Sequence, residues 1–256
     1  MHETTKPVIT RFNFSTDPDL RARHRIGLLV LASDQTLERE FRQLMEAVEV
    51  DLYHARLFNE TVVDTKSLAK MEAYLPVAAG LLPEYLGLNA IGYGCTSGAT
   101  IIGEDRVEEL LKKSHSDIPS SNPLTAAKAA LKALGVERLG LLTPYKPEVT
   151  NAMQQRFEEA GIAITVVGSF YEKNDILVGQ IDPKSILNAA IALGKSELCD
   201  GVFISCTSLR ATGIIEEAES ELGKPVTASN HALAWHLLRL AGIDEKLAGF
   251  GSLFNV

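Results

Sequence analysis

Two of the three cysteines in this 256-residue chain stand in matched strings, Gly94-Cys95-Thr96-Ser97-Gly98 and Ser205-Cys206-Thr207-Ser208-Leu209. Each follows an apolar run of strand type, Leu88 to Tyr93 in one case and Cys199 to Ile204 in the other. A thiol just past a strand, at the start of a helix or tight turn, meets unpaired N–H groups and the positive end of a helix dipole. Both lower a cysteine pKa, so Cys95 and Cys206 are expected to be activated bases or nucleophiles. The same N–H groups, with the hydroxyls of Thr96, Ser97, Thr207 and Ser208, would cradle a carboxylate or a developing enolate. Cys199 lies on the strand body with no polar residue pattern after it, and reads as a small buried hydrophobe.

A second pair of segments repeats as well: Arg25-Ile26-Gly27-Leu28-Leu29 returns as Arg138-Leu139-Gly140-Leu141-Leu142. Both pairs are offset by about 110 residues, a period too long for a solenoid, so the chain reads as an internal duplication of two half-domains. The repeated strands end in Ala32-Ser33-Asp34 and Thr143-Pro144-Tyr145. Ser33, Asp34 and Tyr145 are therefore expected at the cleft between the halves. Tyr145 would donate its hydroxyl to a substrate oxygen or else cap a helix, and Ser33 and Asp34 are equally good helix N-caps. Arg210 either pairs with a substrate carboxylate or sits solvated on a helix. His231 and His236 are not at the i, i+4 spacing of a zinc-binding helix, and no phosphate-loop or dinucleotide glycine pattern is present, so neither a metal nor a cofactor is expected.

The elements that would position these residues alternate regularly. Strand candidates are Arg25 to Leu31, Val50 to Leu57, Leu88 to Tyr93, Arg138 to Leu142, Ile162 to Val167, Gly201 to Ser205 and a short one near Pro225. Between them run helical patterns over Gln35 to Ala47, Thr65 to Leu75, Glu104 to Lys113, Pro123 to Leu134, Pro147 to Ala160, Ser185 to Leu193, Thr212 to Leu222 and His231 to Leu240. Such alternation predicts an α/β fold of two pseudo-symmetric lobes, each a mostly parallel sheet flanked by helices, with ligands beyond the strands' C-terminal ends. The expected division is a polar arm over 1–23, a first lobe over 24–118 completed by the C-terminal helix 231–256, and a second lobe over 119–230. A net charge of −8 gives no basic footprint for nucleic acid or anionic lipid. No apolar run approaches a membrane span, and the polar N-terminus lacks a signal-peptide core, so the cytoplasm is the expected compartment. Three free thiols fit that setting, and a homo-oligomer stays open.

The paired Cys-Thr strings, Thr143-Pro144-Tyr145 and the Arg-Ile/Leu-Gly-Leu-Leu strand starts resemble the aspartate/glutamate racemase superfamily over nearly the whole chain. The Cys-Thr-Ser form of both strings, Ala32-Ser33-Asp34 and Ser229-Asn230-His231-Ala232-Leu233-Ala234-Trp235 look most like the branch of maleate cis-trans isomerase, arylmalonate decarboxylase and the ectoine-utilisation A protein. The resemblance implies two pseudo-symmetric α/β lobes, a cofactor-free site between them and a small carboxylate substrate. It also implies thiol catalysis by Cys95 and Cys206, carboxylate binding by Thr96, Ser97, Tyr145 and Thr207, and a place in ectoine catabolism. Ser208 stands where glutamate-type racemases carry a histidine, which argues against a free amino-acid racemase. Arylmalonate decarboxylases have a glycine at the place of Cys95, so a second thiol argues against simple decarboxylation. The expected activity is isomerisation of a small carboxylate or dicarboxylate, by cis-trans isomerisation or by racemisation. Its rivals are an arylmalonate-type decarboxylase and a non-catalytic two-lobed carboxylate-binding protein.

Overall fold

The computed structural model describes residues 9–17 and 23–256. Of the expected N-terminal arm, residues 1–8 and 18–22 lie outside the described residues; 9–17 are exposed and carry no regular structure. The rest forms two four-stranded parallel sheets of identical topology. The first holds β1 (His24–Leu31), β2 (Val50–Leu57), β3 (Ala90–Gly94) and β4 (Ser120–Ser121) in the order β2-β1-β3-β4. The second holds β5 (Arg138–Thr143), β6 (Ala163–Ser169), β7 (Gly201–Ile204) and β8 (Val226–Ala228) in the order β6-β5-β7-β8. Each strand of one sheet thus has a counterpart in the other, as the repeated sequence predicts. Ser120–Ser121 lies just beyond the expected lobe boundary at residue 118 and still pairs with β3.

The helices are α1 (Leu37–Met45), α2 (Thr65–Lys70), α3 (Leu75–Gly80), α4 (Thr96–Ile102), α5 (Glu104–Lys112), α6 (Pro123–Ala133), α7 (Pro147–Glu159), α8 (Asp175–Val178), α9 (Pro183–Gly194), α10 (Ile215–Leu222) and α11 (Ser229–Leu240). Two departures from the periodicity have local causes. The single helix expected over Thr65 to Leu75 ends at Lys70, and the chain makes one tighter turn before restarting as α3, where Pro76 has no N–H to give to the preceding turn. The stretch directly after Cys95, left without an element by its periodicity, is the short helix α4.

The central strands are apolar on both faces, as parallel strands covered by helices must be: Leu28, Leu29, Ile91, Leu141 and Phe203 are all fully buried. One apolar cluster runs through both lobes, from Leu29, Ile91 and Tyr93 to Leu141, Phe203 and Ile204. A second lies on the far face of the first sheet, where Phe41 of α1 meets Leu233 and Leu237 of α11. The chain therefore leaves the second sheet at β8 and returns in α11 to cover the first. The shared core holds the C-terminal ends of both sheets in a fixed relation, and the site forms there.

Candidate active site

Four strand ends converge on one cavity. Leu31 comes from the end of β1, Cys95 and Thr96 from β3, Tyr145 from β5, and Cys206 and Thr207 from β7; Ser97 adds the first turn of α4. Over them lie the segments that follow β2 and β6, which are equivalent in the duplication. They meet across the cleft in an antiparallel bridge between Val62 and Asn174. Two backbone bonds hold it, Val63 N–H to the Lys173 carbonyl at 2.8 Å and Asp175 N–H to the Thr61 carbonyl at 2.9 Å. From these segments Asn59, Glu60 and Asp175 join the lining. The free space is ≈ 10 Å³, room for about one water molecule.

The two thiols sit in different backbone settings. Cys95 has an extended backbone (φ −152°) and is the N-cap of α4, its Sγ accepting from the Gly98 N–H at 3.2 Å and lying 3.6 Å from Ser97 Oγ. Gly98 is required here, because a Cβ would stand 2.2 Å from Tyr93 Oη and 3.0 Å from Cys95 Sγ. Cys206 has φ 120°, a region that disfavours side-chain-bearing residues, and no α-helix starts at it; the chain runs irregularly to a tight turn at Thr212–Ile214 before α10. Its N–H donates to Ser229 Oγ at 2.9 Å, and Ser229 Oγ lies 2.7 Å from Thr96 Oγ1, so the two Cys-Thr strings are cross-tied.

The expected depression of the thiol pKa values is overturned. Burial pushes Cys95 up to about 11, with the Ser97 hydroxyl and the Gly98 N–H opposing and the negative charge of Asp175 adding to the rise. Cys206 is pushed higher still, by burial and then by Asp175, opposed by the nearby Tyr145 hydroxyl and the Ser208 N–H. Full desolvation of an anion outweighs the few N–H groups that a seven-residue helix or an irregular turn supplies.

The other residues singled out in the sequence divide into those facing the cavity and those behind it. Thr96, Ser97, Tyr145 and Thr207 line it. The Tyr145 hydroxyl is buried without a hydrogen-bond partner, on the side of the Cys206 thiol, and its ring caps no helix, since Lys146 is the N-cap of α7. Thr207 Oγ1 donates to the Gly94 carbonyl across the lobes at 3.4 Å. Ser33, Asp34 and Ser208 stand one step back. Thr36 is the N-cap of α1, and Asp34 turns back onto that start, its Oδ1 accepting from the N–H groups of Thr36 (2.7 Å) and Leu37 (2.8 Å). Burial raises its pKa to about 6 against those two N–H groups, and its Oδ2 has no hydrogen-bond partner. Ser33 and Ser208 both donate to Asp175, at 2.5 and 2.8 Å. Arg210 lies in a separate pocket with Gln35 and Glu40 and donates to the Ile181 carbonyl, away from the thiols. Cys199 is buried with its Sγ against the Ser196 carbonyl. His231 is fully buried between Thr227 and the Phe250 carbonyl, and burial lowers its pKa to about 4, so it is a neutral core residue.

Asp175 and Asn59 are among the polar cavity residues that no sequence pattern singled out, as are Glu60 and Ser67. Asp175 opens a four-residue helix after β6, too short to give a periodic signal, and Asn59 follows β2 with no motif around it. The one available signal was topological: both occupy the segment after a strand that the duplication makes equivalent.

Known proteins of similar sequence and shape share this architecture. Maleate isomerase from Nocardia farcinica is 27% identical over 245 residues, covering 90% of this chain and 95% of that protein. A structure of the Nocardia farcinica maleate cis-trans isomerase, a cysteine-to-serine mutant with a covalently bound succinylcysteine intermediate, superposes with a TM-score of 0.82 at 26% identity over 90% of this chain and 98% of that one. Arylmalonate decarboxylase from Bordetella bronchiseptica is 30% identical over 140 residues, 54% of this chain and 58% of that protein. The family model for arylmalonate decarboxylase matches residues 70–254, from α2 through the second sheet and α11, and the chain belongs to that family of enzymes, in the maleate isomerase and arylmalonate decarboxylase branch of the aspartate/glutamate racemase superfamily.

Proposed function

We propose that the protein is a cofactor-independent isomerase of a small carboxylate, worked by Cys95 and Cys206 from opposite sides of the substrate. The observation that carries this reading is the delivery of one thiol from each duplicated half into one cavity. Donors for the carboxylate stand beside them: Tyr145 Oη has no other partner, and the Ser97 hydroxyl contacts only sulfur. In a cavity with room for about one water molecule, such donors stabilise charge spreading into the carboxylate far better than they would in solvent.

The difference between the thiols sets their roles. Cys95, with the lower pKa of the two and donors on its sulfur, is the thiol that ionises; Cys206 keeps its proton. With an unsaturated substrate, the Cys95 thiolate adds to one alkene carbon and the Cys206 proton goes to its neighbour. Rotation about the resulting single bond follows, then return of the proton to Cys206 and expulsion of the thiolate. With a saturated α-substituted acid, the same pair removes a proton from one face and returns one to the other. The covalent succinylcysteine in the Nocardia relative supports the first route as chemistry of this fold.

The test is incubation of the protein with mono-, di- and aminocarboxylates in deuterated water, followed by NMR. The expected outcome is isomer formation from one class, lost in both Cys95→Ser and Cys206→Ser. Full turnover by Cys206→Ser would overturn the two-thiol reading.

A further inference from the structure

Asp175 is the ionisable group that the two-thiol chemistry leaves without a task. It is 6% exposed and lines the cavity beside both thiols. Its hydrogen bonds come from two serine hydroxyls. Asn59 Nδ2 donates to Ser33 Oγ at 2.8 Å, so the Ser33 proton points to Asp175 Oδ2, while Ser208 Oγ donates to Oδ1. Both oxygens accept, and each keeps a second lone pair for a further donor. Among the described residues, no lysine or arginine lines the cavity to neutralise it. The other acid in the lining, Glu60, is exposed and already paired with Lys70 at 2.7 Å. Behind the cavity, Asp34 lies close enough to feel the Asp175 charge and adds to the same sign of field.

A dianion entering this space would meet a buried negative charge with no compensating cation, and buried like charges are strongly unfavourable. A ligand with one carboxylate and one cation meets complementary groups instead. Tyr145 Oη, buried and unpartnered, donates to the carboxylate, and Asp175 accepts from the cation.

We propose that the substrate carries a positively charged nitrogen beside its carboxylate, as an amino acid does, and that Asp175 is the residue that seats the cation. This rests on the reading of the cavity as the substrate site, and it narrows that reading from carboxylates in general to zwitterions. A cation placed there also opposes the pressure of Asp175 on both thiols, which a second carboxylate would increase.

Four-carbon probes separate the possibilities: succinate, butyrate, D- and L-2-aminobutyrate, and 4-aminobutyrate, each titrated calorimetrically against wild type and Asp175→Asn. In the wild type an aminobutyrate should bind at least tenfold more tightly than butyrate, with succinate weakest. In Asp175→Asn that advantage over butyrate should shrink at least tenfold while succinate gains. Asparagine matches the shape and keeps one acceptor, and should that variant fail to fold, the wild-type order decides alone. Succinate binding most tightly to the wild type, or an aminobutyrate advantage unchanged in Asp175→Asn, overturns the proposal. Two-thiol turnover measured in deuterated water is independent of that order. A succinate-preferring protein whose isomerase activity needs both cysteines therefore removes only the role of Asp175; a protein that binds none of the probes and turns over nothing removes both readings.

Discussion

The two halves present the same residue on different backbones. Cys95 is extended, caps a helix and accepts a hydrogen bond from Gly98, whereas Cys206 is held at φ 120° with no α-helix beginning at it. A duplicated strand end thus reproduces the side chain and its position without reproducing its environment. The consequence is two thiols of unequal acidity facing one space. A symmetric pair would give no reason for one to ionise before the other; here burial raises both, the Ser97 hydroxyl and Gly98 N–H outweigh the Asp175 charge at Cys95, and that charge outweighs the opposing groups at Cys206.

Serine at each site would break the comparison most severely. Cys95→Ser is expected to lose turnover and adduct formation together, by about 10³-fold or more, because a serine hydroxyl without an activating base is a poor nucleophile. Cys206→Ser is expected to lose turnover to a similar degree yet still form a covalent adduct through Cys95, since it lacks only the proton donor. Intact-mass spectrometry after incubation with substrate distinguishes them. An adduct retained in Cys95→Ser and lost in Cys206→Ser would reverse the roles.

Alkylation rates measure the same inequality without substrate. Only the thiolate reacts, and a pKa raised from 9.0 to about 11 leaves Cys95 with about a hundredfold less thiolate at neutral pH than an ordinary cysteine. Its rate with iodoacetamide should climb about tenfold per pH unit between pH 7 and 10, and Cys206 should lag behind it throughout. Peptide mapping that found Cys206 labelled ahead of Cys95 at pH 8 would contradict the assignment.

Much of this arrangement was legible in the residues. The strand over Val50 to Leu57 has the predicted bounds, and Cys95, Cys206 and Tyr145 meet in one cavity because each follows a parallel strand whose C-terminal end must face the cleft. The acidity of the thiols was not legible. A place just past a strand predicts N–H donors around Cys95 and hides how deeply the thiol is buried, and burial decides the sign of the shift. Ser33 and Asp34 were placed at the right strand end, but whether a residue there faces a ligand or turns back onto the start of α1 depends on side-chain direction, which no local pattern encodes. Asp175 was invisible because a single turn of helix has no period and one carboxylate has no motif; only the meeting of the segments after β2 and β6 brings it to the thiols.

Tyr145 sharpens the comparison at a smaller scale, since its hydroxyl stands on the Cys206 side and opposes the rise in that thiol's pKa. Tyr145→Phe should slow turnover by about 1.5 to 3 kcal/mol, the worth of one hydrogen bond to a charged group. Cys95 alkylation should change little, because its nearer phenol is Tyr93. Equal slowing of both reactions would mean that the substitution opens the cavity instead of removing a donor.

The smallest effect concerns the backbone alone. At position 206 a side chain is held at φ 120°, a conformation that costs of the order of 1 to 3 kcal/mol for residues other than glycine. Glycine adopts it freely, at an entropic cost of roughly 0.5 to 1 kcal/mol on folding. Cys206→Gly should therefore be more stable than Cys206→Ala by about 1 kcal/mol, since both lose the sulfur and only alanine keeps the strain. At position 95 the backbone is extended and unstrained, so Cys95→Gly should instead be less stable than Cys95→Ala by roughly 0.5 to 1 kcal/mol. Urea denaturation of the four variants reads both differences, with the loss of each thiol cancelling within its pair. Opposite signs at the two sites would show that the second thiol is held in place against its backbone preference and the first is not. The same sign at both would mean that the surroundings of Cys206 relax around alanine, and that the asymmetry between the halves lies in their donors alone.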